Sequence, residues 1–459
     1  MLTSHGLTPS DRSEIGHAAR KRVPRQSLAD WHAGEERPDP VQLLIDQGQA
    51  RLPNLVPIRH GRMSASPFAY YRGSAVVMAA DLASQPDTGL VVQLCGDAHI
   101  ANFGLFASPE RTLLFDLNDF DETHPGPFEW DVKRLATSAV LAARSNGWSL
   151  AVQKSLARLC AQSYRQAMRQ FAVASTLDVW YSRLEVTGLA KLASSLTPED
   201  ALARVERKIA GARRRTNLQA MGKLTTVVDG ERRFVDDPPL LMRVSPEHAE
   251  LLGLDAMLMY RSTLVTDRAA LLDRFQVVDV ARKVVGVGSV GTRCYVLLLQ
   301  GVDGSDPLVL QIKEATASVL EPYTQPSQFL HHGARVVAGQ RLLQAASDIF
   351  IGWTSATDAH NHVHDSYVRQ LRDMKFSPNL GALDVAEIEL ILRAAGWTLA
   401  RAHARSGDRI ALAAYLGRSS RFEDAITSWA LRYADQTEED HARLVHAIRM
   451  ARLPAITGV

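Results

Sequence analysis

The sequence predicts an α+β protein in which a small β-rich unit is set between two helix-rich stretches. Three observations carry this. Apolar residues recur at three- and four-residue steps from Leu150 to Ala174, and again through Ile388, Leu392, Ala395 and Leu399, as helices with one buried face require. Residues 275–315 hold apolar runs separated by a glycine-rich loop and a Gly-Ser-Asp-Pro turn, which is the pattern of antiparallel strands. Near the front, two short β runs, Leu90 to Leu94 and Thr112 to Phe115, each end in a cluster of polar residues.

The 459 residues, 46% hydrophobic and 22% charged, suit a globular protein too long for one small core. With 52 basic against 50 acidic residues the formal net charge is +2, so charge predicts neither a nucleic-acid coat nor a membrane-surface protein. Cys95, Cys160 and Cys294 are far apart and give no disulfide framework or zinc spacing; a reducing cytoplasm is the expected setting. No apolar run approaches the ~18 residues of a membrane span, so no membrane partner is expected.

In chain order, residues 1–38 are polar and charged, lack the apolar core of a signal peptide, and are expected to be a mobile leader. Residues 39–274 are expected as a helical lobe, with helices at Pro40 to Leu52, 66–84, Trp130 to Ala143, Leu150 to Ala174 and 198–215. The last of these ends basic, in keeping with the helix dipole. A Pro-Pro turn within 228–241 marks a connection. Residues 275–375 form the β-rich lobe, with a helix at 332–346 and strands at 349–353 and 366–371. Residues 376–459 return to helix, opened by the capping-box pair Asp384 and Glu387.

Chemistry gathers at three places. GVGSVG, Gly286 to Gly291, matches a glycine-rich phosphate loop. A dinucleotide fold needs a helix directly after such a loop, and here the strand-like TRCYVLLLQ follows. Strand, glycine loop, strand is instead the arrangement with which kinases cover ATP phosphates. The next apolar run, LVLQIKEA, carries Lys313. An edge-strand lysine reaching solvent is the plainer reading of it alone; one hairpin after a glycine loop, it suits a phosphate anchor. Third, VVQLCGDAHIANFGLF sets Asp97, His99 and Asn102 together, and Asp97 and Asn102 have the D-x-x-x-x-N interval of a kinase catalytic loop. Asp116, Asp119 and Asp121 compete for the place of a second, metal-binding aspartate.

GDAHIAN, LNDFDE and GPFEWDVKRLA resemble in order the catalytic, metal and bracing segments of aminoglycoside- and choline-kinase-like enzymes. Together with RHGRMSASPFAYYRG, the GVGSVG and QIKEA pair and ADQTEEDHA, they resemble the bacterial domain-of-unknown-function family 2252 (DUF2252) over about residues 39–450. That family is regarded as a relative of the protein-kinase and aminoglycoside-phosphotransferase superfamily. The resemblance implies a two-lobe, kinase-like fold that is circularly permuted, because the glycine loop and Lys313 follow the catalytic segment by about 190 residues. AAGWTLARAHARSGD, residues 394–408, looks like the helix that normally leads into the catalytic loop.

The resemblance further implies ATP and Mg²⁺ as nucleotide and cofactor, and phosphoryl transfer to a hydroxyl-bearing acceptor. Asp97 is then the base or the orienter of the acceptor, Asn102 and Asp119 the metal ligands, and Asp131 the brace of the catalytic loop. Gly286, Gly288, Gly291 and Lys313 hold the nucleotide, and His99, Arg72, Asp121 and Glu321 are further candidates. Cys95 departs from the family pattern, standing where kinases place a histidine. The helix after Lys313 lacks the usual pairing glutamate, leaving Glu314, Glu321 or Gln340 as its partner. A nucleotide-binding pseudokinase, an AMP-transferring enzyme on the same fold and a metal-dependent hydrolase are the alternatives. His360, His362 and His364 in alternation suit a solvated loop better than a metal site. Arg207, Lys208 and Arg213 to Arg215 suit a solvated helix end better than a nucleic-acid contact. Arg59, Arg62 and Arg72 are candidates for phosphate or acidic-substrate contacts against surface ion pairing.

Overall fold

The computed structural model describes residues 6–189, 222, 224–244, 254–303, 306–358, 360–371 and 379–459. The expected helix at 198–215, with its arginine and lysine cluster, lies outside these residues. The protein is α+β with antiparallel sheets.

The front of the chain forms helices α1 (Pro9–Arg22), α2 (Pro40–Gln49), α3 (Val56–Ser64), α4 (Pro67–Gly73) and α5 (Ala75–Ala83). Strands β1 (Val91–Leu94), β2 (Phe103–Ala107), β3 (Leu113–Leu117) and β4 (His124–Pro127) follow, then α6 (Phe128–Ser145), α7 (Leu150–Val173) and α8 (Thr176–Tyr181). β1 pairs with β4 and β2 with β3, so each polar cluster hangs from the end of a two-stranded ladder. The helix expected over 66–84 is broken at Ser74 (φ −115°, ψ 36°), where Gly73 and Ser74, both weak helix formers, fall together. β3 runs on to Leu117 because Asp116, expected as a loop residue, is buried and paired with Arg401 at 2.7 Å.

The second sheet gathers later segments. A hairpin of β5 (Thr225–Val228) and β6 (Glu231–Phe234) precedes β7 (Leu241–Arg243), α9 (Leu254–Ser262) and α10 (Thr266–Leu272). Then come β8 (Gln276–Lys283), β9 (Cys294–Gln300), β10 (Pro307–Glu314), α11 (His332–Leu343), β11 (Gly352–Thr357) and β12 (Val363–Gln370). The strand order is β11-β12-β10-β9-β8-β7, antiparallel throughout. Leu308, Leu310 and Ile312 of β10 face a core shared with Tyr260, Leu272 and Phe350. Val309 faces the opposite side with Val296, Leu298 and Phe234, and strand alternation places Gln311 and Lys313 on that side too. The lobe boundary expected at residue 275 is therefore too late: β7 is one of the six strands, and α9 and α10 cover one face of the sheet.

α12 (Val385–Ser406), α13 (Arg409–Leu416) and α14 (Arg421–Arg449) complete the helical part. α12 opens on the expected capping box, with Glu387 N donating to Asp384 at 2.9 Å and Asp384 N to Glu387 at 3.1 Å. α6, α7, α12 and α14 share one core with β1 and β3, built from both ends of the chain.

The leader expected to be mobile is part of this core. α1 carries its own capping box from Thr8 to Asp11 and packs on α13, with Arg20 Nε donating to Tyr415 O at 2.8 Å. Leu28 and Trp31 are buried, and the Trp31 ring meets Tyr433 edge-on at 4.9 Å. Arg37 forks between two buried carboxylates, Asp81 at 2.7 Å and Asp440 at 2.6 Å. Its apolar anchors are few and widely spaced, so no periodic signal announces a docked segment. Replacing Arg37 by Met removes the cation shared by both carboxylates, each 2% exposed. Among the described residues it leaves Asp81 only Tyr433 OH at 2.7 Å and Asp440 only Gln436 Nε2 at 3.1 Å. We expect a loss of about 3–5 kcal/mol in urea unfolding; a loss below about 1 kcal/mol would mean the segment is not held there.

Candidate functional site

The two polar clusters are built as one unit. Asp131, in the first turn of α6, is buried and accepts from Cys95 N at 2.7 Å and Gly96 N at 3.0 Å. Gly96 has φ +83°, and a Cβ there would lie 2.2 Å from Glu122 O, so only glycine lets the first loop press on the second. Cys95 Sγ donates to Asp119 O at 3.4 Å, and Asn118 N donates to Asn102 O at 2.9 Å. The Cys95 thiol therefore ties the two loops together.

Within the first loop, Asn102 Nδ2 donates to Asp97 O at 2.8 Å, which leaves its amide oxygen for a cation. Asp97 accepts from Arg134 Nε at 2.5 Å. Burial pushes the Asp97 carboxyl up to about 7, even though Arg134 opposes that shift. His99 Nε2 lies 3.6 Å from Asp97 Oδ2, and burial, with Arg72 and Arg134 nearby, pulls its pKa well down. Among the described residues its buried Nδ1 has no hydrogen-bond partner.

Lys313 projects from β10 to the second cluster. Its Nζ is 3.7 Å from Asp119 Oδ1 and in direct contact with Asp121 Oδ2. Burial acts to neutralise the amine, but the two carboxylates outweigh it and keep Lys313 protonated. Asp121 also accepts from Tyr367 OH at 2.8 Å and from Ser289 Oγ, in the glycine loop, at 3.3 Å. None of the partners weighed for Lys313 meets it. Glu314 pairs with Arg293 at 3.0 Å and His364 at 3.1 Å, Glu321 accepts from Ser327 N at 3.0 Å, and Gln340 bonds Gln344 at 2.9 Å.

The glycine loop joins β8 to β9 and docks on the front helices. Leu52 N donates to Gly291 O at 2.8 Å, Arg51 to Val290 O at 2.6 Å, and Arg62 to Gly286 O at 2.5 Å. Gly288 lies so close to α4 that a Cβ would sit 3.1 Å from Arg72 O. Between loop, clusters and front helices is a cavity of about 220 Å³. Asp97, His99, Asn102, Asp119, Asp121, Arg72, Gly286 and Gly288 all line it; Glu321 does not, and neither does Lys313, which stands behind Asp119 and Asp121, nor Asp131. Gly291 lies behind it, against the Arg51 side chain. Glu122, Arg51, Arg59, Ser289 and Glu314 also line it, and the sequence reading gave none of these a role at the phosphates except Arg59.

Arg134 was also missed, although it stands three residues after Asp131 and so on the same helix face. Among the described residues no group of three or more His, Cys, Asp or Glu side chains is arranged to hold a metal ion. His364 is held by Glu314 and by Asp358 at 3.0 Å, while His362 is exposed. Among the described residues no helix is long and apolar enough to cross a membrane.

Neither the curated proteins nor the solved structures include a match to this chain. The profile of the family described as "Uncharacterized protein conserved in bacteria (DUF2252)" matches residues 51–447, which takes in the loop at Asp97, the second cluster, the glycine loop and Lys313, and the chain belongs to that family.

Proposed function

We propose that this protein is a kinase-like phosphotransferase, circularly permuted, that moves the γ-phosphoryl group of ATP to a hydroxyl-bearing acceptor with Mg²⁺. The observation that carries the reading is Lys313 set against Asp119 and Asp121, the last of these 192 residues earlier in the chain, beneath a glycine loop that reaches Asp121 through Ser289. A buried lysine, an amide, two carboxylates and a side-chain-free loop form the inventory of phosphoryl transfer, which works by positioning and charge neutralisation.

Permutation is supported by the meeting of α12 with β1. Gln93 N donates to Ser406 Oγ at 3.2 Å, and Gly407 lies against Val91 and Val92. α12, which in this reading corresponds to the helix that leads into the catalytic loop of ordinary kinases, ends beside the loop at Asp97, some 310 residues earlier in the chain.

In this reading the acceptor oxygen attacks the γ-phosphorus and the bond to the β,γ-bridging oxygen breaks, releasing ADP. Asp97 takes the hydroxyl proton and passes it to solvent; a carboxyl raised toward neutrality by burial is matched to that work. Arg134 holds the carboxylate in place. Lys313 exchanges Asp121 for phosphate oxygens. Asn102 and Asp119 offer two hard oxygen donors, which fits a cation that keeps waters and takes phosphate as its other ligands. Bound there, Mg²⁺ would neutralise charge on the β- and γ-phosphates.

Asp97→Asn should lower Mg²⁺-dependent ATP turnover about 10²–10⁴-fold, the usual contribution of a positioned base, while ATP still binds. Wild-type protein that binds ATP without any Asp97-dependent turnover would instead be a pseudokinase. Mass spectrometry of the modified product reads out the group transferred: a gain of AMP in place of phosphate would replace phosphotransfer by nucleotidyl transfer. Lys313→Ala should weaken ATP binding at least tenfold in calorimetry, and unchanged affinity with unchanged activity would point to a hydrolase built on the acidic clusters alone.

A further inference from the structure

One wall of the cavity is cationic and its guanidinium groups are not directly ion-paired among the described residues, although Asp97 and Asp119 act on Arg72, and Glu122 on Arg51 and Arg59, from further off. Arg59, on α3, is fully buried. One of its nitrogens, Nη2, donates to Gln47 Oε1 at 2.5 Å and Gly73 O at 2.7 Å. Among the described residues its buried Nε and Nη1 have no partner, and neither has the buried Nε of Arg72 on α4. Arg51 stands beside them and spends Nη1 on Val290 O. None of the three makes an ion pair with a carboxylate among the described residues.

That is unlike several buried arginines of this chain. Arg37, Arg134, Arg165 and Arg401 each meet a carboxylate within 2.8 Å. A buried guanidinium with unpaired N–H groups loses hydration without compensation, which is costly unless an anion arrives to take them. All three arginines line the cavity that Asp97 also lines.

The geometry points to a subsite for a small oxyanion, phosphate or carboxylate, carried by the acceptor itself and gripped by Arg59 and Arg72 while its hydroxyl meets Asp97. This rests on the phosphotransferase reading for the word acceptor, though not for the anion site. The front helices roof the cavity, with Arg51 holding Val290 O and Arg62 holding Gly286 O. The space of about 220 Å³ has room for a small anionic metabolite.

The test is calorimetry on the full chain with inorganic phosphate and with glycerol 3-phosphate, alone and with a saturating magnesium complex of a non-hydrolysable ATP analogue. Both anions should bind, binding should persist with the analogue in place, and Arg59→Gln and Arg72→Gln should each weaken it tenfold or more. Arg72 is only half-buried, so its variant keeps the test decisive where Arg59→Gln fails to fold by circular dichroism. No anion binding, binding unchanged in the folded variants, or strict competition with the analogue overturns the proposal; competition would assign the arginines to the nucleotide. An analogue that does not bind, beside anion binding that still needs Arg72, leaves the anion site standing and removes the phosphotransferase reading.

Discussion

Asp131 is 1% exposed, yet its carboxylate receives Cys95 N, Gly96 N and, at 3.2 Å, His403 Nε2. An unpaired carboxylate at such a depth would cost several kcal/mol, so these donors and the acceptor hold one another in place. Through them a single side chain on α6 fixes the turn after β1 and the end of α12. Since Gly96 presses on Glu122, and Cys95 bonds Asp119 O, the second loop cannot shift without the first. The spacing between Asp97 and Asp119 is thus set by buried backbone contacts beneath them, not by the two carboxylates, which repel.

That scaffold carries an uneven distribution of charge. Asp97, Asp119, Asp121 and Glu122 crowd one side of the cavity, where Lys313 offsets Asp119 and Asp121. The glycine loop and the front helices form the other side, where the guanidinium groups of Arg51, Arg59 and Arg72 make no direct ion pair among the described residues and feel the carboxylates only from across the cavity. The Lys313–Asp121 contact also joins the six-stranded sheet to the loop after β3, with Tyr367 and Ser289 sharing the same carboxylate. A ligand bringing phosphate to Lys313 would release Asp121 from that contact, so binding and the mutual position of sheet and loop are coupled at one residue.

Much of this was legible in sequence where short-range patterning governs. The Asp384 and Glu387 capping box, the helix of α7 and the β8–loop–β9 hairpin all follow from local spacing, and local spacing decided them. The candidate site was legible because its polar side chains cluster within a few residues of one another along the chain. Partnerships across the fold were not. Lys313 finds Asp121 instead of a glutamate on α11, and Asp116 finds Arg401, choices set by tertiary distance alone. The docking of residues 6–38 was missed for a related reason: Leu28, Trp31 and Arg37 are too sparse for a periodic pattern, yet each enters a buried position.

The order of segments need not constrain the site. What the loop at Asp97 requires is a helix end behind it, a carboxylate beneath it and a strand beside it. α12 supplies the first from late in the chain, as Ser406 and His403 reach Gln93 and Asp131; α6 and β4 supply the others from nearby. None of these contacts depends on a peptide link between α12 and β1. Here the chain instead runs on from α12 into α13 and α14, which pack on α7 and α6 and on the docked front segment. The front segment then reaches forward from α2 to α5 to line the cavity. In the proposed reading, rearranging the segments left the phosphate-handling residues in place while giving the acceptor side a new wall, and that wall is where the unmatched arginines stand.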